Sequence, residues 1–460
     1  MTTQPVPNIV QNFGNHQQCP ESATRLIIDE PQTICSSRQT ASNNKCFLTR
    51  YNNKYCTRIC KFIKHIRKLL IIPEKGKEDW KDEDSFPVLG MKILEKLAQD
   101  HDNCAEICKA TGLVPKIVGF ISYTNTSNSR KTLITTSSLK LVAKLASTTG
   151  EIGTVVRQKI LEQPFLLSNL VDMLEDTGNV EQWKLMMVII ANLAIDEEIR
   201  KEIGSFHMVI PKLMHAFLGR HGSSNTTDDH MLRMVAGEAL SKLSIEKPSY
   251  CSAMLEEATY DLIGNLQKML GEDKYRYVAA SLLWSLSVHS NDKMGDQHLL
   301  PALRVALAKM SDAEGKTLEA LIGLTSQIIC TSSIHEDKVK EPVSDADVAN
   351  LAQKMVDTLN SIKQSPEYPR MRRVIVKMVI AVMESCSDYA TTFERKGMMA
   401  ALSKVERTLK LYKVEKCDVF YYKAGVVLET EEPLSELVAK AKRLIDPAAA
   451  ASTRLFSSFQ

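Results

Sequence analysis

Cysteine, histidine and lysine are the residues whose types and spacing could support chemistry in this chain. Cys56, Cys60 and His65, with Cys46 upstream, form a candidate zinc set. Their spacing fits no Cys-x2-Cys framework, so no metal is expected. Cys104 and Cys108 stand four apart and share a helix face, where a free cysteine packs as a small hydrophobe. Glu314-Gly315-Lys316-Thr317 resembles the end of a phosphate loop. That loop needs glycine five residues before its second glycine, and Met310 stands there, so a helix start is expected instead. His335-Glu336 would need a second histidine four residues after the first, at Val339. Neither a Gly-x-Ser-x-Gly elbow nor a Gly-x-Gly-x-x-Gly run occurs. No catalytic residue and no cofactor follow from these sets, and no enzyme is expected.

Two basic constellations are left. Lys92/Lys96 and Lys140/Lys144 are i,i+4 pairs, so each pair lies on one helix face. Like charges at that spacing cost about 0.2–0.5 kcal/mol per pair. They suit an acidic or phosphorylated partner; the alternative is a solvated face with Glu95 and Glu238 alongside. The second constellation is residues 51–73, which hold Lys54, Arg58, Lys61, Lys64, Arg67 and Lys68 and no acidic residue until Glu74. Ile59, Phe62, Ile63, Ile66, Leu69 and Leu70 recur at three and four residues, which makes a basic amphipathic helix. Such a helix lies on an anionic membrane, engages a partner, or caps a repeat array with its apolar face. Cys56 and Cys60 beside it are placed for acylation, with the polybasic patch as second anchor.

The elements that position these residues are helices. The 460 residues include only 19 glycines and 16 prolines, too few for the frequent turns of a sandwich, barrel or propeller. Hydrophobic residues make up 44% and charged residues 25%, enough to build a core. The net charge of +3 is too balanced for a dedicated nucleic-acid binder. The longest apolar run, Leu185 to Ala191, is far short of a membrane span. No apolar h-region follows Met1, so the chain is expected to be cytoplasmic, not secreted, and its 11 cysteines reduced. Residues 1–50 read as a disordered polar segment, 74–84 as a charged connector, 85–445 as helical repeats and 446–460 as a flexible tail.

The helices repeat. Lys96-Leu97-Ala98, Lys144-Leu145-Ala146, Asn192-Leu193-Ala194, Lys242-Leu243-Ser244, Ser285-Leu286-Ser287 and Gly323-Leu324-Thr325 end similar periodic stretches, 38–50 residues apart. Armadillo and HEAT repeats run at about 40–47 residues. A second signature, Thr111-Gly-Leu-Val-Pro-Lys-Ile-Val118, is echoed at Gln163-Pro-Phe-Leu-Leu, at His207-Met-Val-Ile-Pro-Lys-Leu213 and at His298-Leu-Leu-Pro-Ala-Leu303. Proline there starts a helix in its first turn, where a missing N–H costs nothing. Residues 103–118 followed by 144–146 resemble an armadillo repeat, over roughly residues 85–405 and degenerately after Met310. Within that superfamily the chain is most similar to plant proteins, including a grass group described as brassinolide-enhanced.

The resemblance implies an all-α, armadillo/HEAT-like right-handed α-solenoid of about seven repeats. It also implies that the third helix of each repeat lines a concave groove, where Asn before Leu-Ala grips an extended peptide. Only Asn192 matches; the equivalent places hold Lys96, Lys144, Lys242, Ser285 and Gly323. One turn earlier stand Lys92, Lys140, Val188, Glu238 and Ser281, none of them the Trp of import receptors. Nuclear-transport function is therefore not implied. The expected function is a non-catalytic scaffold that binds a protein or extended peptide segment. Tethering to an anionic membrane through residues 51–73 is the alternative. No nucleic acid and no small-molecule substrate are expected. Trp183 and Trp284 are expected in the core, the methionines as core fillers, and Arg370, Arg372 and Arg373 on a solvated face.

Overall fold

The computed structural model describes residues 86–121, 129–175, 179–203, 206, 208–219, 227–245, 247–257, 261–290, 294–331, 345–361, 368, 370–412 and 432–446. All belong to the second of two units, Thr57–Gln460; the first is Met1–Cys56. The basic helix expected at 51–73 lies outside the described residues, with Arg58, Lys61, Phe62, Lys64, Ile66, Arg67 and Lys68. So do the acylation candidates Cys56 and Cys60, the zinc set, the connector at 74–84 and the tail beyond Asp446.

The three-residue leucine steps form helices. α1 (Phe86–Leu97) buries Val88, Met91 and Leu94. A three-helix unit follows: α2 (His101–Lys109), α3 (Leu113–Gly119) and α4 (Ser129–Ala146). It recurs as α5 (Gly150–Leu161), α6 (Leu166–Glu175) and α7 (Val180–Leu193). The third copy is α8 (Glu197–Ile203), α9 (Val209–Leu218) and α10 (Thr227–Leu243). The fourth is α11 (Pro248–Glu256), α12 (Leu262–Gly271) and α13 (Arg276–His289). Beyond Ser290 the units shorten to pairs, α14 (Asp296–Met310) with α15 (Gly315–Thr331) and α16 (Asp345–Ser361) with α17 (Met371–Ser385). α18 (Ala390–Arg395), α19 (Met398–Tyr412) and α20 (Leu434–Ile445) close the series, and no strand occurs among the described residues.

The last helices of the units stack in order: α1 on α4, then α7, α10, α13, α15, α17 and α20. Each unit buries its apolar face against its neighbours, which is the organisation of an all-α solenoid of armadillo/HEAT type. Leu94, Leu145, Leu193, Leu243, Leu286 and Leu324 are fully buried in it. Met186, Met187, Met371, Met378, Met383, Met398 and Trp183 are buried as expected, while Met399 is partly buried.

The unit boundaries rest on local chemistry. Asp100, Asn179 and Asp261 cap the N-termini of α2, α7 and α12 by accepting backbone N–H bonds. Gly112, at φ 72°, makes the left-handed turn from α2 into α3. The turn into α6 is made by Phe165, at φ 66° and 75% exposed. Pro115 and Pro211 lie in the first turns of α3 and α9, as expected. Pro164 instead precedes α6, and Pro301 sits inside α14. Gly315, at φ 52°, starts α15, as expected for a helix start.

First helices of the three-helix units also donate to the terminal carbonyls of the preceding unit. Cys104 Sγ donates to the Ala98 carbonyl at 3.3 Å. Arg200 Nη1 donates to the Ala194 and Ile195 carbonyls at 2.9 and 3.0 Å. Cys251 Sγ points at the Ser244 carbonyl at 3.8 Å, and Arg157 Nη1 reaches the Thr148 carbonyl at 2.9 Å. Cys104 and Cys108 are therefore buried as expected, and Cys104 is a donor as well. Burial pushes the thiols of Cys108 and Cys251 up to about 11 and about 12, which leaves them protonated and unreactive.

The solvated face expected for Arg370, Arg372 and Arg373 is not found. Arg372 and Arg373 are 9% and 4% exposed, and Arg370 is partly buried. The reason is that α17 packs between α15 and α20, so its first turn has neighbours on both sides. Arg373 Nη1 donates to the Glu432 carbonyl at 2.6 Å.

Candidate functional site

α1, α4 and α7 enclose an open groove of about 1460 Å³. Lys92 and Lys96 enter it from α1, and Lys140 and Lys144 from α4. The four lysines paired by sequence spacing thus converge on one surface because their helices are neighbours. Lys140 is partly neutralised by Glu181 of α7, 2.7 Å away; both side chains are solvent-exposed, so the pair is weak. Lys92, Lys96 and Lys144 form no ion pair among the described residues. The rest of the lining holds the carboxylate of Glu95, the polar Asn179, Thr132 and Thr136, and the apolar Ala143, Leu185 and Val188. Asn192, the single match to the peptide-gripping asparagine, is partly buried on α7 and does not line this groove.

Lys242 and Ser285 do not join the four lysines. They line a second, smaller cavity of about 340 Å³ between α10, α13, α15 and α17. Its aromatic walls are Tyr277 and Trp284 of α13. Trp284 is therefore only partly in the core, contrary to expectation. Its ring lines the cavity on one side and packs on α15 on the other, where Gly323 makes the room: a Cβ there would stand 2.6 Å from the indole.

Two cations cover these aromatic faces. Lys316 Nζ lies 4.3 Å from the Tyr277 ring centre, and Arg370 Cζ lies 4.4 Å from that of Trp284. Each cation is also held by a carboxylate. Lys316 donates to Glu238 at 3.0 Å. The backbone N–H and Nε of Arg370 donate to the buried Glu319 at 2.7 and 3.4 Å. Lys242 is half-buried, and burial pushes its ammonium below the usual lysine range. Glu238 opposes that shift and Lys316 adds to it. Burial also lowers His289 and raises Tyr277.

Sequence reasoning missed Tyr277, Arg370 and Lys377 in this cavity. Trp284 stands beside the ladder position Ser285, and that adjacency was the available signal. Arg370 and Lys377 come from another unit and carry no such mark. Among the described residues no three His, Cys, Asp or Glu side chains could hold a metal ion. Also among them, no helix is long and apolar enough to cross a membrane.

The helix order and stacking define the class of this protein, an α-solenoid with armadillo-like repeats. No protein-family profile matches the chain, and no curated protein matches it significantly. Among solved structures it is similar to an engineered protein at 16% identity, over 83% of this chain and 88% of that one, with a TM-score of 0.49. It is also similar to a designed armadillo repeat protein at 14% identity, over 58% of this chain and 99% of that one, with a TM-score of 0.44. A third is a designed armadillo repeat protein in complex with the peptide (KR)4, at 16% identity, over 58% and 99%, with a TM-score of 0.43.

Proposed function

We propose that this chain is a non-catalytic scaffold that holds an extended, acidic or phosphorylated protein segment in the groove of α1, α4 and α7. The carrying observation is that Lys92, Lys96 and Lys144 open into one groove without ion pairs of their own. Lysines held at i,i+4 on two adjacent helices repel one another, and a bound acidic segment relieves that repulsion. The apolar floor around Leu185 and Val188 accepts the side chains of such a segment. We also propose a plant-type affiliation, for which the repeat residues of the sequence are the support.

The test is binding of fluorescent acidic and phosphorylated peptide pools to the full chain and to Lys96→Glu/Lys144→Glu. The double reversal is expected to weaken binding by about tenfold or more, in proportion to the two charges inverted. Unchanged affinity would refute the proposal.

A further inference from the structure

We propose that the cavity between α10, α13, α15 and α17 is a binding site for one phosphomonoester, carried by a phosphorylated protein segment. The inference rests on the reading of the stacked helices as a peptide-binding face, but not on the groove of α1, α4 and α7.

The lining of this cavity is one-sided. It contains Lys242, Arg370 and Lys377, the hydroxyls of Ser281, Ser285 and Ser326, and no Asp or Glu. The larger groove differs, because Glu95 and Glu181 are part of its lining. The two carboxylates near the smaller cavity are already occupied, Glu238 by Lys316 and Glu319 by Arg370. Lys242 makes no ion pair or hydrogen bond among the described residues, although it is half-buried.

The carboxylate nearest in effect to Lys242, Glu238, is already paired with Lys316. A half-buried ammonium with only a shared counter-charge is costly, and an incoming anion offsets that cost. The site is also preorganised. Arg370 cannot swing away freely, because Trp284 lies under its guanidinium and Glu319 holds its Nε edge. Its other nitrogens are the donors suited to two oxygens of one phosphate. Lys242 and Lys377 supply point charges, and the serine hydroxyls can donate to the remaining oxygen. His289, kept below its usual range by burial, is neutral at pH 7 and adds no fixed charge. A tetrahedral dianion satisfies this donor set more fully than a carboxylate, which has one charge and two oxygens.

The experiment uses the full chain and labelled degenerate peptide pools that differ only in a fixed central phosphoserine, glutamate or serine. Affinities are read by fluorescence anisotropy, with circular dichroism as the control for folding. The phosphoserine pool is expected to bind at least about tenfold tighter than the serine pool, the range of a charged hydrogen-bonded contact. Lys242→Met should remove that difference, and Lys242→Arg should keep it. Lys96→Glu/Lys144→Glu, which alters only the larger groove, should leave the ratio of phosphoserine to serine affinity unchanged. That last arm separates the two proposals: loss of the ratio there, with none in Lys242→Met, overturns this site and leaves the larger groove standing. Equal binding of glutamate and phosphoserine pools overturns the phosphate assignment. Inorganic phosphate competing as strongly as the phosphorylated pool overturns the assignment to a protein segment.

Discussion

At the residue scale, Lys242 and Phe165 both hold conformations or charges that folding alone does not favour. Lys242 has a folded-state pKa below its ordinary value of 10.5, because burial disfavours the ammonium. The unfolded chain then binds more protons in the window between the folded value and 10.5, so stability rises with pH across it. Below that window the penalty is constant and complete. Lys242→Met is therefore expected to raise the thermal unfolding midpoint at pH 7, by an increment that shrinks as the pH approaches 10.5. An increment independent of pH would show that the ammonium is not penalised. Phe165 adopts a left-handed φ of 66° with its ring 75% exposed. The backbone conformation costs about 1–2 kcal/mol for an L side chain, and the exposed ring returns little by burial. Phe165→Gly should stabilise the fold by about 0.5–1 kcal/mol after the entropy of glycine is counted, read from chemical denaturation. The sequence does not mark either residue: Lys242 looks like every other lysine before Leu, and Phe165 sits in an apolar run.

At the element scale, the first helix of each three-helix unit sends a donor back to the end of the preceding unit. Arg200 is the strongest case, since it is 3% exposed and serves two carbonyls. Arg200→Ala leaves both carbonyls buried without that donor and is expected to cost about 2–3 kcal/mol. Hydrogen exchange should then rise first at the end of α7 and in α8. A loss below about 0.5 kcal/mol would show that water replaces the guanidinium. The offset is six residues for Cys104 to Ala98 and Arg200 to Ala194, seven for Cys251 to Ser244 and nine for Arg157 to Thr148, so the device keeps its place but not a fixed register. Cysteine and arginine share no composition signal, which is why the pattern appears only once the carbonyls are located. The later units show a related limit. Gly323-Leu324 looks like a helix ending but falls in the middle of α15, because α14 and α15 have replaced three helices by two.

At the scale of the whole molecule, stability is shared between neighbours rather than pooled in one core. α13 packs against α10 on one side and α15 on the other. Leu283→Ala, at a fully buried position of α13, should cost about 2–5 kcal/mol. The loss of hydrogen-exchange protection should concentrate in α10, α13 and α15 and spare α1 and α20. Uniform loss along the chain would mean that the repeats unfold as one cooperative block. Periodicity was sufficient for the class of fold: leucines at three-residue steps dictate helices, and their return every few dozen residues dictates stacking. Spacing was also sufficient to pair Lys92 with Lys96 and Lys140 with Lys144, because i,i+4 residues share a face of any helix. Tertiary structure alone decided which pairs meet. It joined the two pairs in one groove, moved Lys242 and Ser285 to another, and brought Arg370 onto Trp284 from a unit more than eighty residues away. The reason is that helix faces are local properties of sequence, whereas the neighbours of a face depend on how successive units stack.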